Sequence, residues 1–234
     1  MCEAWILRCN LKTPMAVGKT ARLSVLDALL FQRLMAWHGD ENAVDGDLPL
    51  PWDDGLGIWK CGGGYAEVSE RLAPRPVYKK TIGDARFLEM GGAARNETVI
   101  EFGKWLGQRF GYSDPAGWSY PHLYAQEVLF RFIGTDEQAG RVAWLMDPDR
   151  GLSVGPGHSV GMGELADVVV EPQVVDPDDE PLWPYLDHQN RLTRPLPEKV
   201  VLPAGAARQD WVVLRPPYWS GTEVRGWRPF PQDR

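Results

Sequence analysis

The sequence is poor in the residues from which disulfide frameworks and metal sites are built. Its 3 cysteines, Cys2, Cys9 and Cys61, are an odd number and cannot pair completely. Its 4 histidines lie far from one another and from the cysteines, so no ligand spacing typical of zinc is present. We therefore expect a reduced, cytoplasmic protein that uses no metal or other cofactor.

Long apolar segments are also missing. No run approaches the ~20 residues that a membrane helix needs. The first ten residues include Glu3 and lack the basic and apolar regions of a signal peptide, so we expect no membrane partner. The apolar content of 44% and the charged content of 24% are those of a globular protein, and 234 residues allow one or two domains.

Positive charge is scarce overall but locally concentrated. The chain has 25 Lys and Arg against 32 Asp and Glu, and its net charge of −7 argues against a protein that coats nucleic acid indiscriminately. Residues 71–95 and 191–234 are nevertheless basic, whereas residues 41–58 and 171–190 carry no Lys or Arg. A solvated surface explains this pattern, and so does contact of the basic segments with phosphate groups.

Hydrophobic periodicity predicts a strand and a helix near the N-terminus. Residues 4–12 alternate between apolar and polar side chains, which is typical of a half-buried strand. Ser24 and Asp27 resemble the two ends of a capping box. Leucines at helical spacing follow as far as Trp37, and Gly39 is a suitable C-terminal stop. We expect Trp37 to share the apolar face of this helix.

The middle of the chain has little periodicity, and the second half has more. Between residues 40 and 120 we predict a loop at 40–62, a short strand at 78–82 and a short helix after Asn96. Thr135 and Gln138 have the spacing of a capping box, which predicts a second helix. The elements predicted beyond residue 120 are a strand at 124–132, a helix at 139–146, a glycine-rich loop at 151–163, a strand at 165–170 and a strand near 211–214.

Two strand–helix–strand halves predict an α+β fold with a ferredoxin-like core. The weakly patterned residues 40–120 are too long for a plain loop and are assigned to a large insertion. Residues 172–234 are rich in proline and are assigned to a C-terminal extension. We treat residues 1–234 as one domain that carries both additions.

Motifs for nucleotide binding and hydrolysis are missing. Gly18-Lys19-Thr20 resembles the end of a phosphate-binding loop, but Thr13 stands where that motif needs a glycine. No Gly-x-Ser-x-Gly nucleophile motif occurs. The carboxylates cluster in acidic loops, where a solvated surface is a simpler interpretation than acid–base catalysis. The sequence therefore predicts no catalytic residues.

The glycine-rich segment 151–163 is the clearest candidate for a binding site. Glycine lets the backbone approach a ligand closely, and successive backbone N–H groups can bind an anion. The segment lacks the dinucleotide-binding spacing, because Val160 stands where the last glycine would be, and it follows a helix instead of opening one. Contact with a nucleic-acid backbone fits this position better. A simple turn between helix and strand is the alternative.

The order of several short motifs resembles the RAMP superfamily, the repeat-associated subunits of CRISPR effector complexes. Most similar is the subunit that caps the 5′ end of the guide RNA in type IV complexes. The resemblance extends over most of the chain but is poor in residues 40–120. The segments that carry it are residues 11–17, 26–30, 59–66, 78–80, 132–136, 151–165, 194–197 and 215–219.

The resemblance implies a core like an RNA-recognition motif with a protruding thumb, and no catalysis. It implies four partners: the 5′ handle of the guide RNA, the CRISPR backbone subunit, the CRISPR large subunit and target DNA near its flanking motif. We expect thumb side chains to hold phosphates, exposed rings to stack on bases and the glycine-rich loop to contact the RNA backbone. The residues expected to bind RNA are Lys79, Lys80, Arg86, Trp59, Tyr65, Gly155, Gly157, His158, Ser159, Gly161 and Gly163.

Two other functions remain open at this point. The first is a metal-independent endoribonuclease that processes guide RNA, with His158 or His122 acting beside a tyrosine such as Tyr65 or Tyr78. The second is a protein–protein adaptor without RNA contact, in which Trp-rich and Pro-rich surfaces form the interface.

Overall fold

The computed structural model has a mixed α+β architecture in which the sheets are antiparallel. In chain order its strands are β1 (Glu3–Leu11), β2 (Met15–Ala16), β3 (Trp52–Asp53), β4 (Ile58–Trp59), β5 (Glu70–Val77), β6 (Trp118–Tyr124), β7 (Glu127–Gly134), β8 (Leu165–Gln173), β9 (Leu196–Pro197), β10 (Ala207–Val212) and β11 (Val224–Pro229). Among the described residues, its longer α-helices are α1 (Leu26–His38) and α2 (Asp136–Leu145). The structure describes residues 2–13, 15–16, 23–39, 44, 46–66, 70–77, 118–150, 153–155, 163–176, 181–216, 218 and 221–230.

The central sheet has the strand order β7-β1-β8, and β1 pairs with both neighbours in antiparallel register. Leu7 lies opposite Phe130 on one side and Val170 on the other. Strands are therefore confirmed in the three regions where the sequence predicted them, 4–12, 124–132 and 165–170. The second begins only at Glu127, and the third extends to Gln173. Alternation identified β1 and β7 because only one face of each is buried in the core, whereas the run of valines at 168–170 identified β8.

A further segment continues the sheet beyond β7. Tyr65 and Leu129 exchange two backbone hydrogen bonds of 3.0 and 2.8 Å, and the N–H of Gly62 donates to the carbonyl of Arg131 at 2.8 Å. Cys61 forms an antiparallel bridge with Phe132. Residues 61–65 thus occupy the position next to β7, although their sequence pattern assigned them to an unpatterned region.

The two helices begin differently from each other. Thr135 caps α2 as predicted: its hydroxyl accepts from the N–H of Gln138, and the Gln138 side chain accepts from the N–H of Thr135. The capping box predicted for α1 is wrong, because Val25 is the N-cap and makes no side-chain cap. Gly39 does end α1, with φ of +68°.

The main core lies between the central sheet and the helices. β1 contributes Trp5, Leu7 and Cys9, while α2 contributes Ala139 and Val142. The prediction for Trp37 is wrong: it is 59% exposed, because the last turn of α1 extends past this core. The other buried members from β7 and α1 are Val128, Phe130, Phe132, Leu26, Leu29, Leu30, Phe31 and Leu34.

The C-terminal extension builds a second, smaller core. Its strands form a sheet of order β10-β11-β9, where the sequence predicted a single strand near residue 211. Ile58 from the β3–β4 hairpin is buried with this second core, so the loop predicted at 40–62 contains structure of its own. The buried hydrophobic side chains that the extension contributes to this second core are Tyr185, Leu186, Leu192, Leu196 and Val200.

The chain divides into two compact units, one of residues 1–72 and 121–234 and one of residues 73–120. The second unit falls within the span assigned to the insertion. The strand predicted at 78–82 and the helix predicted after Asn96 lie outside the described residues. In the described part of the chain, no helix is long and apolar enough to cross a membrane.

Candidate nucleic-acid interface

The glycine-rich segment starts and ends at a narrow neck. Ser153 forms an antiparallel bridge with Glu164, and the N–H of Val154 donates to the carbonyl of Gly163 at 2.9 Å. Val154 is fully buried in the main core. The two ends of the segment are therefore held together and attached to the body of the protein.

The neck is also joined to the end of β1. The N–H of Lys12 donates to the carbonyl of Glu164 at 2.8 Å, and the N–H of Glu164 donates to the hydroxyl of Thr13 at 3.0 Å. The Lys12 ammonium lies 3.9 Å from the Glu164 carboxylate. The segment thus emerges where β1 ends and β8 begins.

Gly163 is required by the geometry of the neck. Its φ is +67°, a conformation that side chains with a Cβ rarely adopt. A Cβ at this position would lie 2.0 Å from the carbonyl oxygen of Val154. Gly155 also has a positive φ, of 86°. Of the glycines expected to bind RNA, Gly163 therefore forms part of the neck, and Gly155 directly follows Val154.

Most of the other residues expected to bind RNA lie outside the described part of the chain. From the glycine-rich segment these are Gly157, His158, Ser159 and Gly161, and from the insertion they are Lys79, Lys80 and Arg86.

The two aromatic residues expected to stack on bases are instead packed within the protein. Tyr65 is 4% exposed, and its hydroxyl accepts from the Nε–H of Arg131 at 3.2 Å. Burial raises the pKa of Tyr65. Trp59 is half-buried and packs edge-on against Trp52, with ring centroids 4.9 Å apart. The exposure expected of Tyr65 was wrong because residues 61–65 are part of the central sheet.

On the face of the central sheet turned away from the helices, the part around Arg8 carries more acidic than basic groups. Arg8 lies between Glu127 and Glu171 and forms ion pairs with both. Asn10 donates to Asp167 at 3.0 Å. Since two carboxylates already neutralise Arg8 and Asp167 adds a third, the part of the face around Arg8 repels phosphate. Arg131 on β7 lies on the same face, but it packs against Tyr65 and Trp183.

A buried polar cluster joins α1, residues 59–61 and the C-terminal extension. Arg194 and Asp27 are both fully buried, and their side chains approach to 3.1 Å. The Tyr218 hydroxyl donates to Asp27 at 2.9 Å. Arg194 also donates to three carbonyl oxygens, those of Trp59, Cys61 and Leu214, at 2.7–3.0 Å. One side chain therefore holds three segments of the chain together.

Electrostatics stabilise the charged form of Arg194. Burial alone would lower its pKa, but the adjacent Asp27 carboxylate keeps the pKa above its ordinary value. The sequence patterns did not reveal this cluster. The available signal was an aspartate among the apolar residues that begin α1, which a capping role explained equally well.

The described residues give no sign of a metal centre, because nowhere among them do three His, Cys, Asp or Glu side chains come close enough to hold an ion. No family model matches the chain, and no curated protein matches it.

Proposed function

We propose that this chain is a non-catalytic RNA-binding subunit of a type IV CRISPR ribonucleoprotein. It holds the 5′ handle of the guide RNA and contacts the backbone and large subunits next to target DNA. The observation that carries the proposal is the anchored neck at Val154 and Gly163. The neck presents a glycine-rich segment directly before β8, which is the position expected from the motif order.

The topology of the core supports the proposal. Strand order β8-β1-β7, continued by residues 61–65 beyond β7, is the antiparallel order of a ferredoxin-like sheet. One helix follows β1 and another follows β7. This order supports the proposal that the core is ferredoxin-like, a class that includes RNA-recognition motifs.

The distribution of charge favours the glycine-rich segment over the open sheet face as the RNA contact. Glu127, Asp167 and Glu171 make the part of that face around Arg8 unfavourable for phosphates. A glycine-rich backbone offers N–H donors without side chains that would keep a sugar–phosphate chain at a distance. Lys79, Lys80 and Arg86 supply the cationic side chains in the same proposal.

A binding assay tests the proposal. The full-length protein is titrated into a fluorescent RNA that carries the repeat-derived 5′ handle, at several salt concentrations. We expect binding that weakens as salt rises. Replacing Lys79, Lys80 and Arg86 by Ala should make the slope of log K against log[salt] shallower by about 0.7 for each lost phosphate contact. The matched control replaces Arg208 and Arg225 by Ala, both on the C-terminal sheet.

The same samples separate the alternatives when the RNA is run on a denaturing gel in the presence of chelator. A discrete cut that His158→Ala abolishes would favour the endoribonuclease. Exclusion of the RNA even at low salt would overturn the proposal and favour an adaptor without RNA contact.

A further inference from the structure

Two exposed tryptophans meet at the C-terminal ends of the two helices. Trp37 on α1 is 59% exposed and Trp144 on α2 is 42% exposed. Their ring centroids are 4.9 Å apart, and the rings are inclined at 54°. Indole rings usually bury most of their surface. A pair of them at the surface therefore indicates a contact with something outside the chain.

Two arginines accompany these rings. The guanidinium carbon of Arg150 lies 3.8 Å from the centroid of Trp144 and 5.8 Å from that of Trp37. Arg33 donates to the backbone carbonyl of Arg150. Both arginines line a small cavity of about 180 Å³ beside Trp37.

The positive charge of this cluster is only partly compensated, because the carboxylate that acts on Arg33, that of Asp147, forms no ion pair with it. Within the described residues, neither Arg33 nor Arg150 forms an ion pair with a carboxylate, and the buried Nε of Arg150 has no hydrogen-bond partner. Burial and then the neighbouring Arg150 lower the pKa of Arg33, and the Asp147 carboxylate offsets part of this effect. An anion bound here would relieve that repulsion.

The size of the cluster indicates a ligand smaller than a folded protein. On the described surfaces of α1 and α2, Trp37 and Trp144 are the large apolar side chains that are exposed. A protein interface of standard size uses about 20–30 residues on each side around an apolar centre. Two rings beside two guanidiniums instead have the size and chemistry to bind one nucleotide, because a ring can stack on its flat base and a guanidinium can bind its phosphate.

The position of Arg150 relates the cluster to the glycine-rich segment. Arg150 directly precedes residue 151, where that segment begins. We propose that Trp37, Trp144, Arg33 and Arg150, here named the indole–arginine platform, stack a base of single-stranded RNA and bind its phosphate. This inference rests on the proposed function, because the RNA is the strand that the glycine-rich segment holds.

Nearby carboxylates determine where the phosphate lies. Asp147, Asp149 and Asp167 line a separate cavity on another side of Trp144. These carboxylates repel a phosphate from that cavity. The smaller cavity beside Trp37 is lined by Arg33 and Arg150 and attracts it. Because Trp37 lines this smaller cavity and is the more exposed of the two rings, the base stacks on Trp37.

The test measures the affinity of the full-length protein for the same fluorescent handle RNA. We expect Trp37→Ala to weaken binding at least about fivefold, with the salt dependence unchanged, because a stacking contact is lost and a phosphate contact is kept. Trp37→Phe should restore most of the affinity, since a phenyl ring also stacks. Arg33→Gln should make the salt slope shallower by about 0.7.

A matched control comes from Trp211, which is 51% exposed and lies under the guanidinium of Arg225 at 5.3 Å. Trp211→Ala removes a similar ring from the C-terminal sheet and should leave RNA affinity unchanged. Circular dichroism melts of all variants identify any loss of folding.

The outcomes separate this inference from the proposed function. If the wild-type protein binds the RNA and Trp37→Ala binds it equally well, the platform is overturned and the proposed function stands. If the wild-type protein does not bind the RNA, the proposed function itself fails. If Trp37→Ala keeps its RNA affinity but no longer assembles with the backbone or large subunit, the cluster is a protein interface and the inference is wrong.

Discussion

Arg194 and Asp27 are 167 positions apart in the sequence, yet their side chains meet at 3.1 Å in a fully buried ion pair. The pair connects the first turn of α1 to the Pro-rich extension. Because Arg194 also donates to carbonyls of residues 59, 61 and 214, the extension is attached to the core through polar contacts that water cannot replace.

The first prediction concerns this pair. We expect Arg194→Met to lower the free energy of unfolding by about 3–5 kcal/mol, because it leaves a buried carboxylate without its partner. Asp27→Asn should cost less, since the amide oxygen still accepts from Tyr218. Urea unfolding followed by tryptophan fluorescence measures both effects.

A surface pair provides the control for this measurement. Arg208 lies 3.7 Å from Asp210, and 53% and 33% of their side chains are exposed. Arg208→Ala should change the free energy of unfolding by no more than about 1 kcal/mol. Equal effects of Arg208→Ala and Arg194→Met would contradict the structural role given to the buried pair.

The second prediction concerns the three consecutive glycines at 62–64. A Cβ at Gly63 would lie 2.1 Å from the carbonyl oxygen of Thr193, and one at Gly62 would lie 2.2 Å from that of Pro184. These are backbone atoms of the extension and cannot rotate away. We expect Gly63→Ala to destabilise the protein by at least about 1–3 kcal/mol, as overpacking does.

Gly140 is the matched position for this substitution. It lies inside α2, and a Cβ added there would meet no neighbouring atom within 4 Å. Gly140→Ala should therefore stabilise the protein by about 0.5–1 kcal/mol, because alanine is the better helix former. Thermal melts of the two variants should shift in opposite directions, and a shift in the same direction would count against the packing described.

The third prediction concerns thiol reactivity. Burial, with a smaller contribution from Asp167, raises the pKa of Cys9 to about 12, and burial also raises the pKa of Cys61. At pH 8 only about one Cys9 in 10⁴ is then a thiolate. We expect Ellman's reagent to modify Cys2 alone in the folded protein and all 3 cysteines in urea. Cys2→Ser should abolish the rapid reaction, and a second rapid thiol would contradict the burial.

The same thiols predict how stability depends on pH. A thiol whose pKa is raised in the folded state keeps its proton there, while the unfolded chain ionises near its ordinary pKa of 9.0. Stability is therefore lost as pH rises above about 9, by up to about 1.4 kcal/mol per pH unit for each thiol. Urea midpoints at pH 8 and pH 10 measure this loss, and Cys9→Ala should reduce it.

The fourth prediction concerns the neck of the glycine-rich segment. Gly163→Ala combines a strained φ with a contact of 2.0 Å to Val154, so we expect the neck to open and RNA affinity to fall. Gly205 has a φ of +79° but open space around it, and Gly205→Ala reproduces the strain alone. Fluorescence anisotropy with the handle RNA compares the two, and equal affinities would show that the neck does not matter for binding.

Local sequence patterns were sufficient for the central strands and for the start of α2. Alternation along 4–12 follows from one buried face, and the Thr135–Gln138 box involves residues 3 positions apart. Such patterns could not predict that Trp37 is exposed and Tyr65 is buried. Each depends on which distant segment covers the ring, and periodicity carries no information about that.

The amino-acid sequence by itself therefore determined the α+β class, the order of the core elements and the glycine-rich segment before β8. Only the tertiary structure decided that Asp27 pairs with Arg194, that residues 61–65 extend the sheet and that Trp37 meets Trp144 beside two arginines. The physical reason is that the first group depends on neighbours along the chain. The second depends on contacts between residues far apart in sequence, which form only when the chain closes on itself.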